Sequence, residues 1–231
     1  DIMLKTADLP AGVNSQSSAW HLEQAVIIGS LVELDSSLNN SYNEFLLKGK
    51  NLTIPLISHY VTPHVITSGA GGYSISMTRS LSRIKAIFQT WTNNAADKYV
   101  QNMRNPDLDA DHPMEWQAQI VTMRYPFFGT LKEQLENYWT LQQAIGTHQS
   151  VFHTNAINLS HWLGDLHVIG IGLDKIQSDD GQDNFSSIST KMGDLLTFST
   201  KNVNTSCDTV WTTIKYSSLL IINEKGCSLL E

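Results

Sequence analysis

The chain has 231 residues, of which 41% are hydrophobic and 16% charged, and its formal net charge is −7. This apolar content is enough for a packed core, and the length fits one large all-β domain or two small ones. The composition excludes a disordered chain, which combines low hydrophobicity with high net charge. It also argues against direct nucleic-acid binding, because that needs many clustered cations and the chain has one small cluster, Arg79, Arg83 and Lys85.

Neither a membrane span nor a signal peptide is evident. No apolar run reaches the ~20 residues of a membrane-spanning helix. The first residues lack a basic stretch and the chain does not begin with methionine, so we expect a processed or trimmed piece of a longer protein. Cys207 and Cys227 flank a predicted strand without metal-site spacing, and we expect two free thiols.

Most of the chain shows the alternation of apolar and polar residues that marks half-buried strands. In residues 83–91, for example, Ile84, Ala86 and Phe88 fall on one predicted face. Residues 219–222 are continuously apolar, which is typical of a strand buried on both faces. These four residues belong to the predicted strand 210–223, and the other predicted strands are residues 19–23, 25–34, 50–57, 60–66, 73–77, 116–120, 162–173 and 194–200.

Prolines and loops organise these strands. Pro55 predicts an edge or bulged position for its strand, and Pro63 is expected to break the next one. The polar stretches 92–113 and 178–189 are predicted to be long loops. Eight to ten short strands in a chain of this length indicate a single all-β sandwich or barrel that spans residues 1–231.

One helix is predicted within this β-rich chain, over residues 131–145. Thr130 and Glu133 have the spacing of a capping box, in which each side chain bonds the other's backbone N–H. Apolar side chains then recur at helical spacing from Leu131 to Ile145. Gly146 follows at the position where a glycine commonly ends a helix.

Two groups of residues resemble metal sites. His161, Asp165 and His167 would share one face of a strand, and two imidazoles with a carboxylate suit zinc or iron. The set lacks a fourth ligand, and strand histidines more often face solvent or fill a polar niche. We therefore treat these residues as weak candidates and expect no metal here, no catalytic residue and no cofactor.

The second group is the acidic run Asp107, Asp109 and Asp111. Alternating carboxylates in a loop can bind calcium, but the calcium-binding loop of the EF-hand then needs glycine at position six and glutamate at position twelve. His112 and Ala118 stand there instead. We therefore expect these residues to form a solvated acidic loop.

Four stretches, in chain order, resemble the C-terminal half of the double jelly-roll major capsid proteins. That family covers nucleocytoplasmic large DNA viruses, virophages, and polinton and adintovirus-like elements. The stretches are residues 9–22; residues 74–91 around Arg79-Ser80-Leu81-Ser82-Arg83-Ile84-Lys85; residues 115–126 with the helix ending at Gly146; and residues 169–175 with 193–196 and 219–230. The departure is in length, because the family's proteins contain two jelly rolls and this chain has residues for about one.

The resemblance implies an eight-stranded jelly-roll sandwich with long loops and one inserted helix. It also implies a homotrimeric, pseudo-hexagonal capsomer in the icosahedral shell of a virion. The implied partners are other copies of the chain, the N-terminal jelly-roll half, neighbouring capsomers and minor capsid proteins, with no nucleic acid contacted directly. Arg79 and Arg83 would then be structural residues that pair with carboxylates or carbonyls at a seam between domains.

Two alternatives remain open at this stage. A lectin-like or receptor-binding jelly roll, as in a viral spike, would present exposed aromatic residues on its loops, whereas five of the six tryptophans fall on predicted strands. A cupin-like enzyme would bind metal through His161, Asp165 and His167. The tryptophans are Trp20, Trp91, Trp116, Trp162 and Trp211 on predicted strands and Trp139 on the helix.

Overall fold

The computed structural model describes residues 26–66, 71–93, 103–107, 111–127, 129–146, 157–174, 187–191, 194–204 and 206–230. Predicted strand 19–23 and most of both predicted long loops lie outside these residues. The elements in chain order are α1 (Ser36–Leu47), β1 (Leu52–Val65), β2 (Gly72–Met77), β3 (Ile84–Thr92), β4 (Glu115–Ile120), β5 (Met123–Tyr125), α2 (Gln134–Ile145), α3 (Leu159–Leu163), β6 (Val168–Gly172), β7 (Leu196–Lys201), β8 (Thr209–Asn223) and β9 (Gly226–Leu230).

The strands form two antiparallel sheets. One sheet has the order β1-β8-β3-β6, with β9 added beside β8, and the other has the order β2-β7-β4-β5. The first strand therefore pairs with the eighth, the second with the seventh, the third with the sixth and the fourth with the fifth. This wrapping of a long antiparallel hairpin defines a jelly roll, so the predicted all-β jelly-roll sandwich is confirmed.

The core lies between the two sheets and contains the side chains that alternate inward. The predicted alternation is confirmed, since every second residue of β4 is buried and in β2 Ile75 and Met77 are buried beside exposed serines. Both sheets and the segments beside them contribute apolar side chains that are almost completely removed from solvent. The largest fully buried side chains are Trp91, Trp116, Trp162, Phe198, Leu81, Ile84, Ile87, Met114, Leu131, Leu141, Ile169 and Ile214.

Strand β3 departs from simple alternation. Its register against β8 shifts between Ile84 and Ala86, so Lys85 is an extra residue in a β-bulge. The prediction that Ile84 shares a face with Ala86 and Phe88 is therefore wrong. Ile84 lies in the hydrophobic core cluster with Ile87, because the inserted residue reverses the orientation of everything that precedes it.

Two tryptophans donate hydrogen bonds across the core. Trp91 Nε1 on β3 donates to Tyr73 Oη on β2 at 2.9 Å. Trp116 Nε1 on β4 donates to Gln89 Oε1 on β3, and Gln89 Nε2 donates to Thr212 Oγ1 at 3.0 Å. These bonds satisfy both indole N–H groups inside the sandwich, where an unpaired donor would be costly. They also join the two sheets at defined positions.

Strand β1 is one continuous edge strand. It pairs with β8 from Leu52↔Ile222 to Val65↔Thr209, without a break at Pro63. The prediction that Pro63 interrupts this region is wrong, because an edge strand can leave the missing N–H of proline on its unpaired side. The edge position predicted from Pro55 is confirmed, since β1 ends its sheet.

The predicted helix is confirmed at its C-terminal end and wrong at its start. Gly146 follows α2 in the left-handed conformation with a φ of 91°. The helix begins at Gln134 because Leu131 belongs to the sheet. Leu131 and Trp116 exchange two backbone hydrogen bonds of 2.9 and 2.8 Å, and the Leu131 side chain is fully buried. Thr130 therefore does not cap the helix.

Helix α2 packs closely on β6 at Gly170. A Cβ atom at this position would lie 2.8 Å from Phe88 Cδ1 and 2.9 Å from Leu141 Cδ1. Phe88 is on β3 and Leu141 is on α2, so the absence of a side chain at Gly170 lets the helix cover the outer face of this sheet edge. Side chains from both β3 and α2 thus lie close to Gly170.

The region before β1 differs from its prediction. Residues 26–34, predicted as part of a strand, have no regular structure, and all of them are exposed. Residues 36–47 form α1, which the sequence analysis missed. Asp35 precedes the helix, and Leu38, Tyr42 and Phe45 recur at helical spacing, which are the signals that indicate it.

The two cysteines differ in their exposure to solvent. Cys207 is buried and Cys227 exposed, and neither belongs to a disulfide bond among the described residues. They lie beyond opposite ends of β8.

In the described part of the chain, no helix combines the length and the apolar character needed to cross a membrane.

We expect Gln89→Leu to lower the free energy of unfolding by about 2–4 kcal/mol, because it leaves the Trp116 indole N–H and the Thr212 hydroxyl without a buried partner. Urea denaturation measures the change. Gln119→Leu is the matched control, since its amide bonds Val121 O at an exposed position, and its effect should stay below about 1 kcal/mol. Equal losses in the two variants would contradict the proposed importance of the core hydrogen bonds.

We expect Gly170→Ala to destabilise the fold by about 1–3 kcal/mol, because the added methyl group overlaps both Phe88 and Leu141. Thermal unfolding followed by circular dichroism tests this. Gly29→Ala is the control, because nothing lies within 4 Å of a Cβ there. An unchanged melting temperature for Gly170→Ala would show that α2 shifts freely on the sheet.

Candidate interaction surfaces

The three residues of the first predicted metal group do not share a strand face. Residues 159–163 form helix α3 instead of the predicted strand, because Asn158 caps the helix by accepting a hydrogen bond of 2.8 Å from His161 N. His161 and Asp165 are exposed, whereas His167 is buried. Among the described residues, no three His, Cys, Asp or Glu side chains form a group suited to a metal ion.

His167 fills a polar niche in the core. It is 1% exposed, and its ring centroid lies 4.2 Å from that of Trp162 and 6.3 Å from that of Trp91. Its Nδ1 lies 3.2 Å from Trp162 O, and its Nε2 is buried without a hydrogen-bond partner in the described part of the chain. Burial lowers the pKa of His167 to about 4, against a smaller opposing effect of the Asp107 carboxylate. The imidazole is therefore neutral at pH 7.

Asp107 has a structural role in the second predicted metal group. Its Oδ1 accepts from Met114 N at 3.0 Å, and its Oδ2 accepts from Gln134 Nε2 at 2.5 Å. Asp111 is exposed, and Asp109 lies outside the described residues. Because both oxygens of Asp107 already bond protein donors, this carboxylate joins the loop to the start of β4 and of α2.

A surface of a different kind lies at one end of the longer sheet. We name it the apolar ribbon: residues 52–57 of β1, residues 219–223 of β8, and β9. Here β8 pairs with β1 on one side and β9 on the other. Residues 219–222, which are predicted to be buried on both faces, are only half-buried. The predicted burial on both faces is therefore wrong, because none of the described residues covers the ribbon.

One face of the apolar ribbon continues the inner face of the sandwich. Ile54, Leu220 and Leu229 lie opposite one another across the three strands. Side chains an even number of residues apart on a strand share a face, so this row is on the side from which Tyr60 contacts the core. Ile54 is 43% exposed and Leu229 50% exposed. Core-type residues are thus left uncovered where the second sheet ends.

The segment that leads into the ribbon is also uncovered. Ile27 is 99% exposed, and no side chain of α1 is buried. A helix of 12 residues is marginal in water unless an apolar face packs against something. The leading segment, residues 26–50, therefore adds further exposed apolar surface ahead of the ribbon in the chain.

The predicted interface arginines lie in separate surroundings. Arg79 follows β2, and its Cζ lies 5.1 Å from the ring centroid of Tyr60. Arg83 precedes the bulge of β3 with a φ of 56°, and its carbonyl oxygen accepts a hydrogen bond of 3.0 Å from Ser217 N. The sequence analysis missed Tyr60 and His64, which line a cleft together with Arg79.

Comparison with known proteins identifies the fold. No family model matches the chain, and no curated protein matches it. The chain is similar to PBCV-1 VP54, a double jelly-roll capsid protein solved by crystallography and fitted into a reconstruction of the virophage Sputnik, with 10% identity and a TM-score of 0.53. That match covers 85% of this chain and 54% of VP54. A quasi-atomic model of the PBCV-1 virus capsid matches with 12% identity and a TM-score of 0.49, over 78% of this chain and 51% of that one. The chain spans about half the length of these structures, and the predicted resemblance is confirmed at the level of the fold.

We expect acid to destabilise the fold through His167. Its pKa is about 4 in the folded chain against an ordinary 6.5, so the unfolded chain binds more protons between these pH values. The stabilisation is complete above pH 6.5 and is lost as the pH falls towards 4, with a loss of about 2–3 kcal/mol between pH 7 and 4.5. Urea denaturation at both pH values measures it.

The variant His167→Gln removes the titrating group and keeps a donor for Trp162 O. It should show a smaller loss between pH 7 and 4.5 than the unchanged chain. His161→Gln is the control, since His161 is exposed. The hypothesis is wrong if the two variants have the same pH dependence.

Proposed function

We propose that this chain is one jelly roll, the C-terminal half, of a viral double jelly-roll major capsid protein. Its role would be assembly rather than catalysis. The fold supports this proposal, because the chain matches VP54 over 85% of its own length and 54% of that protein, which is the extent of a single jelly roll. Under this proposal residues 1–231 act as one domain of a two-domain subunit.

The observation that carries the proposal is the apolar ribbon. Its row Ile54, Leu220 and Leu229 continues a core face beyond the edge of the second sheet. Monomeric proteins rarely expose contiguous apolar patches of more than a few hundred Å², and larger ones mark protein–protein contacts. A partner jelly roll would bury this face and the leading segment, and would complete the burial that residues 219–222 predict.

The weak surface charge favours the same role. Only 16% of the residues are charged, and neutral polar groups lose less on burial between subunits than lysine or glutamate. We propose contacts with other copies in a pseudo-hexagonal trimer, with the N-terminal jelly roll, with neighbouring capsomers and with minor capsid proteins, in the shell of a virion. Arg79 and Arg83 are proposed to pair with groups of a neighbouring domain at such a seam.

The two alternatives have less support. A cupin-like enzyme would need His161, Asp165 and His167 to converge, whereas two of them are exposed on a helix and a turn and the third is buried beneath tryptophans. A lectin-like module would need a cluster of exposed aromatic side chains on its loops, whereas Trp91, Trp116 and Trp162 are fully buried and the exposed Trp139 lies on α2.

Light scattering of the purified chain tests the proposal. We expect a mass of three copies or of a larger particle at high concentration. The double variant Ile54→Asp with Leu229→Asp should reduce this mass to that of one copy and leave the melting temperature nearly unchanged, because both side chains are substantially exposed within the chain.

Leu135→Asp serves as the matched control, since Leu135 is exposed on α2, away from the ribbon. It should assemble like the unchanged chain. A chain that stays monomeric at all concentrations, or a double variant that assembles normally, would contradict the proposed role of the ribbon.

A further inference from the structure

At the apolar ribbon, the longer sheet has two edges that differ in how they can pair. In the described part of the chain, β1 forms one edge and β9 the other, with β8 between them. An edge strand presents a row of backbone N–H and C=O groups that can pair with a strand of another chain. The residues on each edge therefore decide which of the two can accept a further strand.

Prolines obstruct the β1 edge. Pro55 and Pro63 lie within continuous pairing to β8, so the N–H group that each lacks would point away from β8. The two residues are an even number of positions apart, and both therefore remove a donor from the same outer side of the strand. Within the ribbon, the outer side of β1 keeps donors only at Thr53 and Ile57.

The β9 edge lacks such an obstruction. Its five residues, Gly226–Leu230, include no proline and no charged side chain, and all of them are exposed. Pairing with β8 uses the backbone groups on one side of β9, and none of the described residues pairs with the other side. Natural edge strands commonly carry a proline, a bulge or a charge that prevents pairing with other chains. The outer side of β9 is thus able to accept a strand.

The same chain contains a segment with the composition of a strand. We name residues 26–34 the arm. Its sequence, Val-Ile-Ile-Gly-Ser-Leu-Val-Glu-Leu, is rich in β-branched residues and has one charge, at Glu33. The arm nevertheless has no regular structure, and its apolar side chains from Val26 to Val32 are between 73% and 99% exposed. An apolar segment of this kind gains stability when a neighbouring surface removes it from water.

A second copy of the chain is the partner that fits both features. The exposure of the arm shows that it does not cover the ribbon of its own chain, and α1, about 18 Å long, separates it from β1. A contact between the arm of one copy and β9 of the next is heterologous, and three such contacts can close into a ring. Residues 26–32 and β9 carry no charge, so electrostatic repulsion between copies does not oppose the contact.

We propose that the arm of one copy adds to β9 of a second copy as a further strand of its sheet. Backbone hydrogen bonds to residues 226–230 would hold the arm, and the apolar side chains of both segments would be buried at the ribbon. The arm would then form the strand that its sequence predicts. This exchange rests on the proposed self-assembly, and it names the strands through which two copies associate.

Cross-linking between two preparations of the full chain tests the exchange. The unchanged chain supplies Cys227, which is exposed on β9, whereas Cys207 is buried. The second preparation carries Ser30→Cys with Cys227→Ser, so its exposed thiol lies on the arm. After the two are mixed and concentrated, a short bismaleimide should link position 30 of one copy to Cys227 of another, as identified by mass spectrometry of the peptides.

Ser160→Cys with Cys227→Ser is the matched control, because Ser160 is likewise an exposed serine but lies on α3. The arm variant should give about tenfold more cross-link than this control, or a larger excess, because pairing raises the effective concentration of the two thiols to about the millimolar range. Equal yields from the two variants would overturn the proposal.

A proline test separates backbone pairing from mere proximity of the thiols. Adding Leu31→Pro with Val32→Pro to the arm variant should lower the yield to that of the control, because consecutive residues direct their N–H groups to opposite sides and one of the two lost donors faces β9 in either register. Leu31→Ala with Val32→Ala keeps both N–H groups and should give more cross-link than the proline pair. Equal yields from these two pairs would overturn the pairing.

Two further measurements distinguish failure of the exchange from failure of the proposed function. In a chain that carries Ser30→Cys beside Cys227, links within one copy and none between copies would overturn the exchange, since the arm would then pair with its own β9. Light scattering follows association of the same samples. Copies that associate without the link would overturn the exchange and leave the assembly role standing, and copies that neither associate nor link would overturn both.

Discussion

The two indole donors that cross the core constrain the rest of this sandwich. Trp91 bonds Tyr73 and Trp116 bonds Gln89, so each bond joins a strand of one sheet to a strand of the other. Apolar contacts between the two sheets allow one sheet to shift against the other. A buried N–H, in contrast, reaches its hydrogen-bond partner in only a few relative positions of the sheets. The bonds therefore fix how the two sheets are aligned, and Thr212 holds the Gln89 amide in the orientation that receives Trp116.

That alignment determines where each sheet ends relative to the other. The long strands β1 and β8 extend past the shorter strands of the second sheet, and β9 widens the extension. The inner face of the sandwich thus continues as the apolar ribbon, whose core-type residues are not covered by any described segment. At the side of the sandwich, the same architecture leaves two edge strands of different sheets facing each other across the polar cleft. An exposed apolar surface and a polar cleft thus follow from one arrangement of strands.

The two surfaces suit partners of different chemistry. The ribbon offers aliphatic rows such as Ile54, Leu220 and Leu229, for which a complementary protein face is the natural cover. The cleft is lined by a guanidinium, an imidazole and hydroxyl groups, which recognise charge and direction rather than area.

The sequence by itself determined the features that depend on neighbours along the chain. The alternation in β2 and β4, the edge position of Pro55, the end of α2 at Gly146 and the all-β class are properties of short-range spacing, and all are confirmed. The structure decided what depends on partners that are distant in sequence. Leu131 is not part of the helix because its backbone pairs with Trp116 on β4. Ile84 lies on the opposite face of β3 from the predicted one, because pairing with β8 introduces a bulge. The candidate site shows the same division. Arg79 stood out in the sequence, but Tyr60 and His64 lie beside it only because two edge strands of opposite sheets end at the same opening.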